Sequence, residues 1–260
     1  GGASTDNVNL FRLPTARLDG LLLTHFHSDH IAEIYEVNLG SWVNGRPAPL
    51  TVFGPRGVDE VVEGINASYR QDRIYRVGHH GEALLPPALG VLAHKTIEPG
   101  VILDDGQLKI TAYVGEHPPI EPAVGYRFDY RGRSVVISGD SNVSDSTRQI
   151  TEGADLLLHD ALSLPTLTAL SAALDAAGQT RLAKIVTDVT DYHASTESLV
   201  ELGKQSNVGM IGYYHLVPVP ANPIIKAVFM RGALENFVLT EDLMWFELPI
   251  DSDEIIVHRP

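Results

Sequence analysis

The chain has 260 residues, of which 44% are hydrophobic and 20% are charged, so it can bury a sizeable core in an ordinary globular protein. Its 33 acidic and 19 basic residues give a formal net charge of −14, which repels polyanions over most of the surface. Because no run of about twenty apolar residues occurs, no membrane-spanning helix is predicted. The absence of cysteine excludes disulfides and thiolate metal ligands, and it leaves both a cytoplasmic and a periplasmic location open.

Strands and helices are predicted to alternate through the first part of the chain. Two strands and two helices are indicated, in chain order Gly20–His25, Ile31–Val37, Leu50–Phe53 and Val58–Tyr69. Residues 77–100, which include His79, His80 and Pro86-Pro87, are predicted to form a long loop. Loops of that length are often functional, and these histidines could line a substrate pocket, so their roles stay open.

The alternation continues through the rest of the chain. Four successive strands are predicted at Val101–Leu103, Leu108–Val114, Val124–Tyr130 and Ser134–Ser138, with a hairpin connection over residues 129–133. The predicted elements that follow are helix Ser144–Thr151, strand Asp155–His159, a helical region from Thr166 to Val189 interrupted near Gly178, helix Thr196–Gln205 capped by Ser195, strand Val208–Tyr214, helix Ile224–Arg231 and strand Leu243–Leu248. This pattern predicts an α/β protein whose helices cover its sheets, in a single domain over residues 1–260.

Residues 24–30 read Thr-His-Phe-His-Ser-Asp-His and follow an apolar run, at the place where a buried strand would end. Side chains two apart on a strand point the same way, so His25 and His27 are expected on one face. Asp29 and His30 follow as the chain turns into the next helix. Three imidazoles and one carboxylate within about one turn suit zinc and similar divalent ions, so this motif predicts a metal site.

Three later side chains are candidates for the remaining metal ligands, because each comes just after a predicted strand. His117 follows the second of the four successive strands, and Asp140 follows the fourth, within the sequence Ser-Gly-Asp-Ser. His215 directly follows the strand that ends at Tyr214 and precedes Leu-Val-Pro. The three positions are far apart in sequence, as expected when a fold rather than a local loop assembles a site.

In this order, the motifs resemble those of the metallo-β-lactamase fold superfamily, from about residue 18 to residue 218. The finer pattern is similar to the branch that contains ribonuclease Z and bacterial arylsulfatase-like proteins. The segments that carry this similarity are His117-Pro-Pro, Gly125-Tyr126-Arg127-Phe128, Ser138-Gly139-Asp140-Ser141, Leu156-Leu157-Leu158-His159-Asp160, His193-Ala194-Ser195 and Tyr214-His215-Leu216-Val217-Pro218. The resemblance implies a four-layer αββα sandwich with metals at one edge.

The resemblance also implies which residues hold the metals. Two divalent ions are expected, with zinc as the first expectation and manganese or iron(II) as alternatives. The implied ligands are His25, His27 and His117 for one ion and Asp29, His30 and His215 for the other, with Asp140 bridging the two. A carboxylate has two oxygens and can hold two ions about 3.5–4 Å apart, so its chemistry agrees with a bridging role.

Three residues are implied to take part in the reaction itself. Asp29 would orient or deprotonate the attacking water, in addition to binding metal. His193 matches the family's histidine before a helix N-terminus and would donate a proton to the leaving group. Asp160 would orient His193, although ribonuclease Z typically has the longer glutamate at this place. The neighbouring His159 would either support the site or be a buried histidine of the core.

Two departures from the family bear on assembly and substrate. Members normally begin with two or three strands that end in an Asp-x-Gly turn, so Gly1-Gly2 would be the tail of that turn and the N-terminal strands are expected to be missing. A homo-oligomer would cover the exposed edge of the sheet. The sequence shows no basic arm of the kind with which ribonuclease Z holds tRNA, and the acidic balance disfavours nucleic acid as a partner.

The sequence therefore predicts a zinc-dependent hydrolase whose nucleophile is a hydroxide between two metals. The expected substrate is a small-molecule sulfate or phosphate ester. A tRNA 3′-end processing endoribonuclease is the first alternative, and a β-lactam or lactone hydrolase is the second. A non-catalytic, metal-stabilised binding protein is a further alternative, which a measurement of turnover would separate from the enzymes.

Overall fold

The structure of the protein is a computed structural model that describes residues 4–260. The chain divides into two compact units, with the boundary between Glu98 and Pro99, and each unit has its own β-sheet. The single domain over residues 1–260 stays a prediction. The predicted tail of an N-terminal turn, Gly1-Gly2, lies outside the described residues. In the part of the chain that the structure describes, no helix is long and apolar enough to cross a membrane.

A small parallel sheet forms the centre of the first unit. In spatial order its strands are β1 (Leu21–Leu22), β2 (Thr51–Gly54) and β3 (Ala93–Thr96). The helices of this unit are α1 (Ser4–Leu10), α2 (Ser28–Ile31), α3 (Ile34–Val43), α4 (Val58–Ser68) and α5 (Arg70–His80), with 3-10 turns at Thr15–Arg17 and Pro87–Gly90. Parallel strands are usually covered on their faces, and the buried side chains packed together here are Leu23, Ile34, Leu50, Val52, Val58, Val62 and Leu92.

The histidine motif differs locally from the predicted strand and helix. β1 is shorter than the predicted strand, so His25 and His27 lie in the segment between β1 and α2. Asp29 and His30 stand on α2 itself. The predicted helix Ile31–Val37 is wrong in its bounds, because two separate helices, α2 and α3, occupy this stretch. The motif therefore leaves the sheet earlier than expected, and its last two metal-ligand candidates are held by a helix.

The predicted long loop over residues 77–100 is wrong, because this stretch contains the end of α5, a 3-10 turn and β3. Side chains of α3 hold the turn in place. Trp42 Nε1 donates to the Pro86 carbonyl at 3.1 Å, and Asn38 Nδ2 donates to the Gly90 carbonyl at 2.8 Å. Both donors lie far from the turn in sequence, which explains why the local pattern of residues 77–100 does not reveal the anchoring.

His79 and His80 lie in the last turn of α5, where both are exposed to solvent. Their ring centroids are 4.7 Å apart. Basic side chains are favourable near a helix C-terminus because they interact with the helix dipole. Their position therefore has a structural explanation that does not require a substrate pocket.

A seven-stranded sheet forms the centre of the second unit. Its strands in chain order are β4 (Gly100–Asp104), β5 (Leu108–His117), β6 (Ile120–Tyr130), β7 (Arg133–Ile137), β8 (Leu156–Leu162), β9 (Met210–Val217) and β10 (Phe237–Leu239), and each is hydrogen-bonded to the next. β4 to β7 pair antiparallel, and β7 to β10 pair parallel. A separate antiparallel ribbon consists of β11 (Trp245–Glu247) and β12 (Ile256–His258).

Local sequence signals correctly predict the helices of the second unit. These are α6 (Asp145–Thr151), α7 (Leu164–Ala176), α8 (Thr180–Asp188), α9 (Thr196–Gln205) and α10 (Pro223–Phe229), with a 3-10 turn at Val189–Asp191. Gly178, with a φ of +73°, separates α7 from α8, as a glycine at a helix end often does. Ser195 caps α9, and its hydroxyl accepts a hydrogen bond from the Ser198 backbone amide at 3.1 Å.

One row of apolar side chains crosses the parallel part of the second sheet. Residues opposite one another on β7, β8, β9 and β10 are Val136, Leu157, Ile211 and Phe237. The first three are fully buried. A slip of one residue in any of these strands would turn its side chain to the opposite face, so this buried row fixes the register of the strands.

The strand bounds place several candidate site residues within the sheet rather than after it. β5 reaches His117, β8 continues through Asp160, and β9 includes His215. The predicted last strand, Leu243–Leu248, is longer than the observed β11, and β10 is not predicted by the pattern. The α/β class is confirmed.

Gly125 on β6 lies opposite Tyr113 on β5, whose side chain is buried. A β-carbon added at Gly125 would lie 2.4 Å from ring atoms of Tyr113. We therefore expect Gly125→Ala to lower the free energy of unfolding by about 1–3 kcal/mol through overpacking, as measured by chemical denaturation. Gly64→Ala is the control, because the space around Gly64 in α4 is open and alanine there should raise stability by about 0.5–1 kcal/mol. Equal effects of the two changes would contradict the packing argument.

Candidate metal centre

The first unit brings the four metal-ligand candidates of the histidine motif together. His25 is fully buried, and its Nδ1 lies 3.1 Å from the Thr24 hydroxyl. Its Nε2 lies 3.1 Å from Nδ1 of His27, so two ring nitrogens face each other. The ring centroids of His25 and His30 are 4.2 Å apart, and His30 Nε2 lies 3.2 Å from Asp29 Oδ2. These residues form one compact group of nitrogen and oxygen donors.

The second unit brings together His117, Asp140 and His215. Asp140 follows Gly139, whose φ of +67° turns the chain two residues after the end of β7, and the Asp140 side chain is buried. Its Oδ2 lies 3.5 Å from His215 Nε2. Asp140 and His117 also offer ligand atoms within 4.8 Å of one another. One buried carboxylate of this unit therefore stands beside two imidazoles.

Irregular strand pairing places both of these imidazoles. The register between β8 and β9 shifts directly after Asp160, which leaves His215 as an extra residue on β9. His215 has a φ of +44°, in the left-handed region, and such a bulge re-aims a side chain away from the regular alternation of a strand. The register between β5 and β6 likewise shifts before His117. The two histidines thus depend on defects in the sheet rather than on its regular pleat.

The donor groups fit a divalent metal. Zinc binds imidazole nitrogen and carboxylate oxygen at about 2.0–2.2 Å, so two ligand atoms of one tetrahedral ion are roughly 3.4 Å apart. The donor separations within the two units are close to that value: 3.1 Å for His25 and His27, 3.2 Å for Asp29 and His30, and 3.5 Å for Asp140 and His215. In each unit, pairs of donor atoms therefore have the separation expected between two ligands of one metal ion.

A buried histidine–aspartate pair also lies in the second unit. His193 Nδ1 is 2.8 Å from Asp160 Oδ2, and both side chains are buried. Asp160 is long enough to contact His193 because the segment around His193 runs along β8. There the Leu162 amide donates to the Ala194 carbonyl at 2.7 Å. The rings of His193 and His215 stack with centroids 5.5 Å apart. The pair therefore stands beside a candidate metal ligand of the same unit.

Four donors converge on the Asp160 carboxylate, and all four belong to the second unit. They are the Nδ1 atoms of His159 and His193 and the backbone amides of Ser141 and Ala194. Burial by itself raises the pKa of Asp160, but the hydrogen bonds and charges of His159 and His193 outweigh it and hold the pKa below its ordinary value. The carboxylate therefore stays ionised, with both imidazoles beside it.

Sequence analysis misses Tyr192, an aromatic residue near this pair. The Tyr192 ring has its centroid 4.9 Å from those of His117 and His193, and its position directly before His193 is a signal that could have marked it. Tyr214 precedes His215, and burial raises the pKa of its hydroxyl well above the ordinary value. The Tyr214 hydroxyl is therefore neutral and contributes packing and a hydrogen bond with Ser138.

Residues 4–209, more than half of the chain, match the family described as Beta-lactamase superfamily domain. The chain therefore belongs to the metallo-β-lactamase superfamily, and the predicted family and fold are confirmed. It is a hydrolase of this superfamily, whose members use divalent metals, typically zinc.

Its relatives include proteins named ribonuclease Z. The one from Mycobacterium bovis is 35% identical over 206 residues, which cover 78% of this chain and 69% of that protein. The one from Mycobacterium marinum is 33% identical over 206 residues, again 78% and 69% of the two chains. Both relatives are named ribonuclease Z, so the ribonuclease Z side of the predicted branch is the supported one.

Two solved structures share the fold of this chain. The metallo-β-lactamase fold protein YhfI from Bacillus subtilis has a TM-score of 0.57 and 18% identity, over 90% of this chain and 80% of that one. The short form of human tRNase Z also has a TM-score of 0.57 and 18% identity, over 96% of this chain and 86% of that one. At this level of identity, the two likenesses establish the fold.

Proposed function

We propose that this protein is a metal-dependent phosphodiesterase of the ribonuclease Z kind, which hydrolyses a phosphodiester bond in RNA. Its 35% identity to a protein named ribonuclease Z supports the substrate class. The buried pair of His193 and Asp160 carries the reaction type, because cleavage that releases an alkoxide benefits from a positioned proton donor. The proposed function is the tRNA-processing alternative, and its RNA substrate replaces the small-molecule ester that the sequence predicts.

The proposed metal ligands are the residues that the family resemblance implies. They are His25, His27 and His117 for one ion and Asp29, His30 and His215 for the other, with Asp140 shared. When bound, the metals lower the pKa of water and neutralise charge on the phosphate. The donor separations of 3.1 to 3.5 Å within each unit support this assignment.

The protein's own side chains supply the proton transfers. Water attacks the phosphorus atom, the bond to the leaving oxygen breaks, and that oxygen takes a proton from Nε2 of protonated His193. The ionised Asp160 accepts a hydrogen bond from Nδ1, so it stabilises the imidazolium and fixes the ring orientation. Asp29, whose side chain is 57% exposed, is proposed to orient the attacking water or to accept its proton.

We expect His193→Ala to lower kcat on an ester with an alkoxide leaving group by about 10²–10⁴-fold, because the proton donor is lost. Metal content should stay at the wild-type level, since His193 is not among the proposed ligands. Initial rates and elemental analysis of the purified protein check both parts. His79→Ala, a change at an exposed histidine of α5, is the control and should resemble the wild type. Loss of metal in His193→Ala would show that His193 is a ligand.

Charge favours a second candidate, the sulfate or phosphate ester of a small molecule. The net charge is −14, and one of the densest basic stretches is on α5, which carries Arg70, Arg73 and Arg76. Two of these arginines have partners in the structure: Arg76 Nε lies 2.8 Å from Asp72 Oδ2, and Arg73 donates to the Asn66 carbonyl at 2.7 Å. Because RNA affinity depends on cations that contact phosphates, this distribution supports a smaller substrate.

Initial rates of the zinc- and manganese-loaded protein would separate the two candidates. The panel contains a precursor tRNA with a 3′ trailer, an aryl phosphodiester, an aryl sulfate, a lactone and a β-lactam. Each substrate is also tested with protein whose metal has been removed by a chelator. Metal-dependent cleavage of the precursor at one position near its 3′ end is the result expected from the proposed function. Turnover of the aryl sulfate without cleavage of RNA would overturn it in favour of the second candidate.

A further inference from the structure

His159 is a buried imidazole that the proposed reaction does not use. It precedes Asp160 on β8, and its side chain is fully buried. Its Nδ1 lies 2.9 Å from Asp160 Oδ1 and 3.0 Å from the Asp160 carbonyl oxygen. Its Nε2 is buried and has no hydrogen-bond partner among the described residues. A buried polar atom without a partner costs free energy, so the presence of an imidazole here calls for an explanation.

The irregular pairing of β8 lets neighbouring side chains meet. Successive side chains on a regular strand point to opposite faces, so His159 and Asp160 would not share a hydrogen bond there. The register of β8 against β9 shifts directly after Asp160, and the two side chains are in contact. Asp160 Oδ1 lies 2.9 Å from His159 Nδ1 and accepts a hydrogen bond from the Ser141 amide at 3.2 Å. Asp160 Oδ2 accepts from His193 and from the Ala194 amide at 3.2 Å. Each oxygen is thus held by one imidazole and one backbone amide.

We infer that His159 is a positioning residue, which holds the Asp160 carboxylate so that Oδ2 faces His193 Nδ1. This inference rests on the proposed role of His193 as the proton donor. To donate to Asp160, His159 must carry its hydrogen on Nδ1. The Nδ1–H group of His159 then interacts with Asp160 Oδ1, and Oδ2 remains available to His193.

Loss of the His159 contact would leave Oδ1 held by the Ser141 amide alone, so the carboxylate would be less restrained about χ2, which is a soft, roughly two-fold torsion in aspartate. The tautomer of a histidine is set by the hydrogen bond that its Nδ1 makes, so a rotating Asp160 would leave His193 in a mixture of tautomers. Simple packing makes the opposite prediction. A leucine of similar volume would fill the space of His159 and leave His193 unchanged.

Nitrogen-15 NMR of the imidazoles tests the inference without any turnover. In the zinc-loaded wild type, at a pH where His193 is neutral, His193 should be the Nδ1–H tautomer; its signals are assigned with His193→Ala. His159→Leu should give a mixture of tautomers. His159→Asn, whose amide nitrogen takes the place of Nδ1, should recover most of the wild-type signal. A wild-type tautomer of His193 in His159→Leu would overturn the inference.

The rates on two kinds of ester give a second readout. An alkoxide leaving group needs a proton donor, whereas p-nitrophenolate does not. His159→Leu should lower kcat by about 10–100-fold on the alkoxide ester and by less than about threefold on the nitrophenyl ester, with KM unchanged. In a His193→Ala background, His159→Leu should cause no further loss. Equal losses on both esters, or losses that add in the double variant, would show a purely structural role and overturn the inference.

The two readouts also separate this inference from the proposed function. A wild type that cleaves no phosphodiester would contradict the proposed function, while the NMR experiment would still decide how His159 acts on His193. If thermal unfolding shows that His159→Leu does not fold, His159→Gln takes its place. The glutamine amide lies near the position of Nε2 and offers no donor at the position of Nδ1.

Discussion

Asp140→Ala is expected to reduce turnover by at least about 10³-fold and to lower the metal content below two ions per chain. Asp140 is the proposed shared ligand, and its buried carboxylate lies 3.5 Å from His215 Nε2. Its removal takes one ligand from each ion and leaves neighbouring imidazoles without the negative charge that balances a bound cation. Initial rates and elemental analysis of the same preparation measure both effects.

Two further variants sharpen this test. Asp140→Asn keeps the shape of the side chain but offers one oxygen instead of two. We therefore expect its metal content to be closer to one ion per chain than to two. Asp175→Ala makes the same change as Asp140→Ala at an exposed position on α7 and should leave both rate and metal content unchanged. Near-normal activity of Asp140→Ala would contradict the proposed ligand set.

Arg46→Ala is expected to lower the free energy of unfolding by about 3–5 kcal/mol. The Arg46 side chain is 2% exposed in the first unit, and burial lowers its pKa from a high ordinary value without removing its charge. Its guanidinium donates to the Ser41 hydroxyl, the Asn38 side-chain oxygen and the carbonyls of Ala48 and Leu89. Truncation would leave these buried acceptors unpaired and open a cavity.

Chemical denaturation with matched variants tests this explanation. Arg56→Ala, at an exposed arginine of the same unit, should change stability by less than about 0.5 kcal/mol. Arg46→Lys should fall between the wild type and Arg46→Ala, because lysine keeps the charge but lacks the planar fork that reaches several acceptors. A loss below about 1 kcal/mol for Arg46→Ala would show that the hydrogen bonds contribute little to stability.

Local signals in the sequence account for the parts of the fold that were predicted correctly. Gly178 separates two helices and Ser195 caps a third, because a helix end depends on residues within one or two turns of it. The motif over residues 24–30 is recognisable in the sequence for the same reason, since its donors lie close together in the chain. The sequence does not predict the structure of residues 77–100, because two side chains that anchor it, Trp42 and Arg46, lie far away in sequence and act through polar contacts.

The candidate site also combines features that the local sequence indicates with features that depend on residues distant in the chain. The family resemblance implies the roles of His193 and Asp160, but whether an aspartate is long enough to reach the histidine depends on how the segment around His193 pairs with β8. The contact between His159 and Asp160 depends on a register shift that neither residue encodes locally. Tertiary pairing, rather than residue identity, determines these details, so they needed a structure.

Because His215 lies in a bulge, the direction of its imidazole depends on the number of residues in β9. Deleting one residue of β9 ahead of the bulge would let its pairing with β8 run evenly, and the imidazole would then turn to the opposite face. Every candidate ligand would remain in the sequence, and a comparison by residue type would still find a complete set. A designer who transplants this centre to another sheet must therefore copy the extra residue together with the histidine.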